Sequence, residues 1–481
     1  MALGRLVEKC RQGLQQAAAT VRSVASPSNS SCSTAVPLTS SANPRREQLP
    51  RRQASPLRVC RGFREAIGET PLLKLCGASA ETGCNIWGKC EFLNPGGSVK
   101  DRPAVYMLQR AERSGKQGGW VVEASAGNTA IALTLAAKAK QYRVVCVMPD
   151  TQTEEKKDLL MTLGAVVLRV PFQKVAHPNH YTKIAERLAS TIGGFYCGQF
   201  DNQANRQAHF ETTGQEIWQQ TGGRIHGFIC AAGTGGTLVG TASRLRLNSC
   251  LQRGRRAPDK EKLPFLKSPS PYPLACSDAP LPERSLAAEG GSAKQGSIHC
   301  TRDIHLPTSK SVTEKRLAHL VASGWPCIGI ADIQGAGLFR LYTTGTLDAE
   351  GTSIVENVGQ NRVTGNLKDF SPDFACEVPD AEVLTWTHRL LQEEGLPLGM
   401  TSGLNVAGAV RLAKALGPGH TIVTVLCDYG HLYKAKQWNP PFLRSLSLPE
   451  PSWMQAEVLP EVLTALQSSI LPVDEGNSSN V

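Results

Sequence analysis

The chain reads as an α/β protein built on parallel sheet. Two observations predict this: short apolar runs alternate with helical apolar periods along most of its 481 residues, and the turns from run to helix are rich in glycine and small polar residues. A chain of this length can bury several packed layers without disulfides or structural metals.

The first segment places Leu3, Leu6, Val7, Cys10, Leu14, Ala18, Val21 and Val24 at three- and four-residue steps, with Arg5, Lys9, Arg11 and Arg22 between them. That is one basic amphipathic helix. A Ser/Pro/Arg-rich, acid-poor stretch follows to Arg58, so residues 1–60 read as an organelle transit peptide, with a disordered basic extension as the alternative.

From Phe63 to Ser190 the order is strand WVVEAS, helix IALTLAAKA, strand RVVCVMP, helix KKDLLMTLG and strand AVVLRVP, the signature of parallel βαβ units. A second series has a helix through FETTGQEIWQQ, the strand GFICAA, a Gly-rich turn and a helix through TLVGTASRLRL. The pattern then dissolves until the strand CIGIAD at Cys327. Residues 249–322 are rich in Pro, Ser, Lys and Arg, with one short apolar piece near Leu317 to Val321, and are expected to form a mostly disordered surface insertion. Closure entropy rises slowly with loop length, so a compact domain tolerates it. Helices through AEVLTWTHRLLQEEG and NVAGAVRLAKAL and the strand TIVTVLCD complete the series, and residues 461–481 are expected to be a flexible tail.

The net charge of +11 is confined to the irregular parts. Residues 1–60 carry +7 and residues 248–325 carry +5, leaving −1 for the rest, so no basic face marks a nucleic-acid partner. The fifteen cysteines show no Cys-x-x-Cys pair or regular spacing and read as reduced thiols, and no metal ligand set is expected. No apolar run reaches the roughly 18 to 20 residues of a spanning helix.

Three motifs sit at strand-to-helix turns, where ligands bind in open α/β sheets. NPGGSVKDR places Lys100 at a helix entry after a Gly-rich turn. EASAGNTA places Ser125, Gly127, Asn128 and Thr129 at a helix start, where they serve either as caps or as a cradle for an anion. AAGTGGT, with Gly233, Thr234, Gly235, Gly236 and Thr237, has the form of a phosphate nest but lacks both the Walker ending and the dinucleotide spacing.

The order and spacing of these motifs resemble fold-type II pyridoxal-phosphate enzymes, and cysteine synthase (O-acetylserine sulfhydrylase) in particular. QFDNQANRQAHFETTGQEIW, MPDTQTEEKKDLLMTLGA, ADIQGAG, EGTSIVENVGQNRVTGNL and GMTSGLNVAGA extend the likeness over about residues 63 to 440, apart from the insertion. The resemblance implies a tryptophan synthase β-like core over residues 61–460. It has two domains, each a mostly parallel sheet covered by helices: a small subdomain of about 100–206 and a large one from the flanking segments. It also implies pyridoxal 5'-phosphate as cofactor, Lys100 as the Schiff-base residue and α-proton base, and Gly233, Thr234, Gly235, Gly236 and Thr237 around the cofactor phosphate. Ser125, Gly127, Asn128, Thr129 and Gln199 match positions that bind the substrate carboxylate, Asn128 also reaching the cofactor's ring hydroxyl. Thr401 matches the hydroxyl residue facing the pyridine nitrogen. A hydroxyl, unlike a carboxylate, does not hold that nitrogen protonated, which favours elimination over transamination.

The activity implied is β-replacement on O-acetyl-L-serine by sulfide, in a homodimer able to bind serine acetyltransferase, with mitochondrial location following from residues 1–60 (cytoplasm or plastid as alternatives). Cystathionine β-synthase and the serine/threonine dehydratases share the core. Against the first of these stand the lack of a Cys-x-His haem element before the core and the fewer than about fifty residues after Tyr433, too few for a regulatory tandem. A non-catalytic partner of serine acetyltransferase is a further reading. Four positions depart from the family pattern: Ala126 replaces a frequent serine, Thr401 a more usual serine, and Asn357 and Asn361 stand where glycine is common in the active-site loop.

Overall fold

A computed structural model describes residues 59–115, 119–254 and 310–454. The expected transit segment up to Arg58, the middle of the insertion and the tail 461–481 lie outside these residues. In chain order the elements begin with β1 (Leu72–Lys74), α1 (Cys76–Thr82), β2 (Asn85–Cys90), α2 (Asp101–Arg113), β3 (Trp120–Ala124), α3 (Asn128–Lys138), β4 (Arg143–Pro149) and α4 (Glu154–Thr162). Next come β5 (Val166–Val170), α5 (Tyr181–Thr191), β6 (Phe195–Tyr196), α6 (Gln203–Glu211), α7 (Thr213–Gln220), β7 (Gly227–Ala231) and α8 (Gly236–Gln252). The last stretch holds α9 (Lys310–Ala322), β8 (Cys327–Ile333), α10 (Gly337–Thr344), β9 (Phe374–Val378), α11 (Asp380–Glu394), α12 (Met400–Leu416), β10 (Thr421–Leu426) and α13 (Pro440–Ser445).

The strands form two sheets. One has the order β1-β2-β10-β7-β8-β9, and the other, drawn wholly from residues 120–196, has the order β5-β4-β3-β6. All pairs are parallel except β1 with β2. β8 is buried at all seven positions, as a central parallel strand covered on both faces requires. Its neighbour α12 owes its close approach to small residues: a Cβ on Gly408 would stand 2.6 Å from the Cβ of Ala331 on β8. Such a fit leaves no room for even one added methyl without displacement.

Two local expectations are corrected. The single helix read through FETTGQEIWQQ is two, broken at Thr212, where the backbone departs from helical values. Both the Thr212 hydroxyl, at 2.6 Å, and its N–H, at 3.0 Å, donate to the Ala208 carbonyl. The insertion is also narrower than its composition suggests. α8 continues to Gln252 with Ser249 and Cys250 buried, and α9 sets Leu317 and Leu320 into the core of the larger sheet. The stretch 255–309 lies outside the described residues. Among the described residues every cysteine is a free thiol, and no helix is long and apolar enough to cross a membrane.

Candidate active site

The carboxyl ends of β2, β7 and β10 in the larger sheet and of β3 in the smaller lead into turns that meet at one cleft. Lys100 stands at the N-terminus of α2, half-buried, its own N–H donating to the Ser98 hydroxyl at 3.2 Å. The turn before it is stitched down by two backbone links: Val99 N–H donates to the Cys427 carbonyl at 2.9 Å, and Ser98 bridges to Asp428.

Below that turn lies a buried ionic network. The Arg102 guanidinium meets Glu91 at 2.7 Å and Glu216 at 2.5 Å, and the Lys89 ammonium meets the other oxygen of Glu216 at 2.6 Å. Burial would raise the Glu216 carboxyl, but the charges and hydrogen bonds of Arg102 and Lys89 outweigh it and hold Glu216 well below the usual carboxylate range. Arg102 is two residues from Lys100, so the network fixes the first turn of α2 in place.

A cleft opens above. Lys100, Asn128, Gly233, Thr234, Gly235, Thr237 and Thr401 line it, drawn from four separate stretches of chain. The turn at 233–237 is held from several sides: the Asn205 amide donates to Thr234 Oγ1 at 3.0 Å, Thr364 Oγ1 donates to the Thr234 carbonyl at 2.7 Å, and Thr237 Oγ1 shares a hydrogen bond with His209 Nε2 at 3.1 Å. Burial, reinforced by the charges of Arg102 and Lys100, keeps His209 neutral, so one ring nitrogen donates and the other accepts. Gly235 has φ +84°, and a Cβ there would stand 2.4 Å from Leu367 Cγ, so both conformation and space demand glycine.

Ser125, Gly127, Thr129, Gln199 and Gly236 do not line the cleft itself. Thr129 Oγ1 donates to Gln199 Oε1 at 2.6 Å, and Gln199 in turn lies against the buried carboxyl of Glu123. Burial pushes the Glu123 carboxyl up to about 7, against hydrogen bonds from Gln199 and the Ala124 N–H. Ser125 and Gly127 are half-buried beside the cleft, and Gly236 packs its α-carbon against Asn205.

The structure adds residues that sequence reading missed. Asp428, at the end of β10, is 1% exposed; its Oδ2 accepts from Asn128 Nδ2 and from the Tyr433 hydroxyl, both at 2.6 Å, while its Oδ1 has no hydrogen-bond partner among the described residues. Burial raises this carboxyl, opposed by those two hydrogen bonds and by the charge of Lys100. Asn405 ties α12 to the strand ends, accepting from Ala231 N–H and donating to the Val425 carbonyl, both at 2.7 Å. Cys427 also faces the cleft, but burial and then the Asp428 carboxylate push its thiol up to about 12, so it is no nucleophile. The signal for Asp428 and Cys427 was their place just past an apolar parallel strand, the ligand end of such sheets.

Taken together, the cleft offers an amine (Lys100), a helix-start turn whose first N–H groups have no intrahelical acceptor (Gly233 to Thr237), an amide (Asn128) and a hydroxyl (Thr401). Those four functions suit an aldehyde, a phosphate, a phenolic oxygen and a pyridine nitrogen, and the crowding around Gly235 keeps side chains out of the turn. Pyridoxal phosphate fits.

Residues 63–256 match the family model described as pyridoxal-phosphate dependent enzyme. The fold is shared with a solved structure of O-ureido-L-serine synthase, at TM-score 0.60 and 24% identity, covering 85% of this chain and all of that one. Fold and cleft thus define a fold-type II pyridoxal-phosphate-dependent enzyme. The chain is 36% identical over 397 residues to cysteine synthase 1 of Neurospora crassa, covering 81% of this chain and 86% of that protein. A Saccharomyces cerevisiae relative with "mitochondrial cysteine synthase" in its name is 29% identical over 401 residues, covering 78% and 84%. This chain belongs to the cysteine synthase family.

Proposed function

We propose that the chain converts O-acetyl-L-serine and sulfide to L-cysteine and acetate. The observation that carries this is the joining of Lys100, Asn128, the 233–237 turn and Thr401 in one cleft, with a hydroxyl rather than a carboxylate in the place the resemblance gives to the pyridine partner.

When bound, pyridoxal phosphate supplies an electron sink that stabilises a carbanion at the substrate α-carbon. Lys100 would hold the cofactor through its Nζ, and the same amine, when free, would take the α-proton of the substrate. The N–H groups of Gly233, Thr234, Gly235, Gly236 and Thr237 would hold the cofactor's phosphate, aided by the dipole of α8. Asn128, fixed by Asp428, reaches the cleft to grip the substrate carboxylate, and the resemblance gives Ser125, Gly127, Thr129 and Gln199, which pack beside the cleft, to the same group. Acetate leaves with the β-carbon–oxygen electron pair, sulfide forms the new carbon–sulfur bond, and Lys100 returns the proton to the α-carbon.

The test is direct. Purified protein is given O-acetylserine, O-phosphoserine or serine, each with sulfide or homocysteine, and products are identified by mass spectrometry. Cysteine from O-acetylserine and sulfide at the highest kcat/KM supports the reading, and preferential cystathionine formation from serine and homocysteine overturns it.

The same reading includes a homodimer, serine acetyltransferase as a partner, and mitochondrial import through residues 1–60, the last supported by their acid-poor amphipathic pattern. A reporter carrying those residues that stays in the cytosol removes the import claim.

A further inference from the structure

We infer that Asn357 is a specificity-determining residue that limits the size of the amino-acid side chain admitted beside the carboxylate turn. The inference rests on the reading of residues 125–129 as that turn.

Asn357 lines the cleft and has φ +68°. Left-handed backbone is sparsely populated by residues other than glycine, and such outliers persist where surrounding structure holds them. Here it is held from both sides. A Cβ on Gly233 would stand 2.2 Å from the Asn357 carbonyl oxygen, so the Asn357 backbone lies against the 233–237 turn. A Cβ on Gly127 would stand 3.3 Å from Asn357 Oδ1, so its side chain lies against the 125–128 turn. The amide is anchored as well: Nδ2 donates to the Tyr433 hydroxyl at 3.5 Å, and Tyr433 donates to Asp428.

A glycine at this position would leave the space beside Gly127 open. Asparagine fills it with a side chain that its anchor keeps from swinging away. An amino acid's carboxylate and its β-carbon hang from the same α-carbon, so a fixed wall against the turn that grips the one bounds the groups attached to the other. Small β-substituents pass this wall and long ones collide with it. A contact difference of this kind is worth about tenfold or more in discrimination.

The test uses holoenzyme and two amino acids with no β-leaving group, L-alanine and L-methionine. Each is titrated into wild type, Asn357→Gly and Asn357→Ala, and binding is followed by the cofactor's absorbance. The expected result is that the ratio of the methionine Kd to the alanine Kd falls at least about fivefold in Asn357→Gly, with Asn357→Ala falling less. Glycine adopts φ +68° without strain, so the thermal midpoint of Asn357→Gly should equal or exceed that of wild type. Asn357→Ala keeps the strained backbone with a truncated side chain, so a ratio that falls in both variants cannot come from altered backbone freedom. A ratio within twofold of wild type in Asn357→Gly overturns the inference. Wild-type holoenzyme that binds neither amino acid overturns the carboxylate-turn reading and this inference together. Failure of wild type to make cysteine from O-acetylserine refutes the proposed reaction yet leaves the Kd ratio readable.

Discussion

The turns at 125–128 and at 233–237 both join a parallel strand to a helix, yet the structure holds them differently. The second is bonded to Asn205, His209 and Thr364 and wedged against Leu367, with Thr234 only 7% exposed. The first is half-buried, and its main outside attachments are the Asn128 bond to Asp428 and the contact of Gly127 with Asn357. A firmly pinned turn suits a ligand that stays, whereas a lightly held one suits a ligand that arrives and leaves in each cycle.

Lys100 lines the same cleft as residues of both turns, and its removal takes away what both serve. Lys100→Ala should lower kcat by at least about a thousandfold, since anchor and proton acceptor vanish together. Single-turnover assays with O-acetylserine and sulfide check this, and substantial cysteine formation would falsify the assignment.

The support beneath Lys100 comes next. Glu216→Ala leaves Arg102 and Lys89 buried without their shared partner and should cost about 3 to 5 kcal/mol of stability at pH 7. The sign with pH follows from the depressed Glu216 carboxyl: its contribution is complete above the ordinary glutamate range near 4.5 and is lost as pH falls towards its folded value. Denaturant melts at pH 7 and pH 3 should therefore show a larger gap between variant and wild type at pH 7.

The two turns can then be broken separately. Gly235→Val forces a β-branched residue into positive φ and onto Leu367, and should weaken cofactor binding by about a hundredfold, read by titrating apoprotein with pyridoxal phosphate. Asp428→Asn loosens Asn128 at the other turn. It should raise KM for the amino-acid substrate by about tenfold and weaken cofactor binding less than Gly235→Val does, since Asn128 is one contact of several on the cofactor, as loss of a charged hydrogen-bond partner implies. Equal damage to cofactor and substrate binding in both variants would erase the distinction between the turns.

The smallest effect is expected far from both. α8 runs 17 residues from the 233–237 turn to the insertion, a span of about 25 Å. Replacing residues 255–309 by a Gly/Ser linker of about twelve residues, while keeping α9, should leave kcat/KM within a few-fold of the full chain. A loss of orders of magnitude in a variant that still binds cofactor would assign the segment a role in the reaction.

Local sequence by itself determined most of the strands and the three ligand turns, because apolar periodicity reports which faces are buried, and Gly-rich breaks between a strand and a helix report where the chain must turn tightly. The turns that carry Lys100, Asn128 and residues 233–237 were legible in that way, whereas Thr401 came from motif resemblance alone. Only the tertiary structure decided that Asp428 and Tyr433 belong beside them. Asp428 is 300 residues from the Asn128 it binds, and a carboxylate after a strand looks the same in sequence whether it faces solvent or a cleft. The break at Thr212 and the packing of α9 were equally hidden. Each depends on what lies across from the residue after folding, and that partner is set by how parallel strands from distant segments align in one sheet.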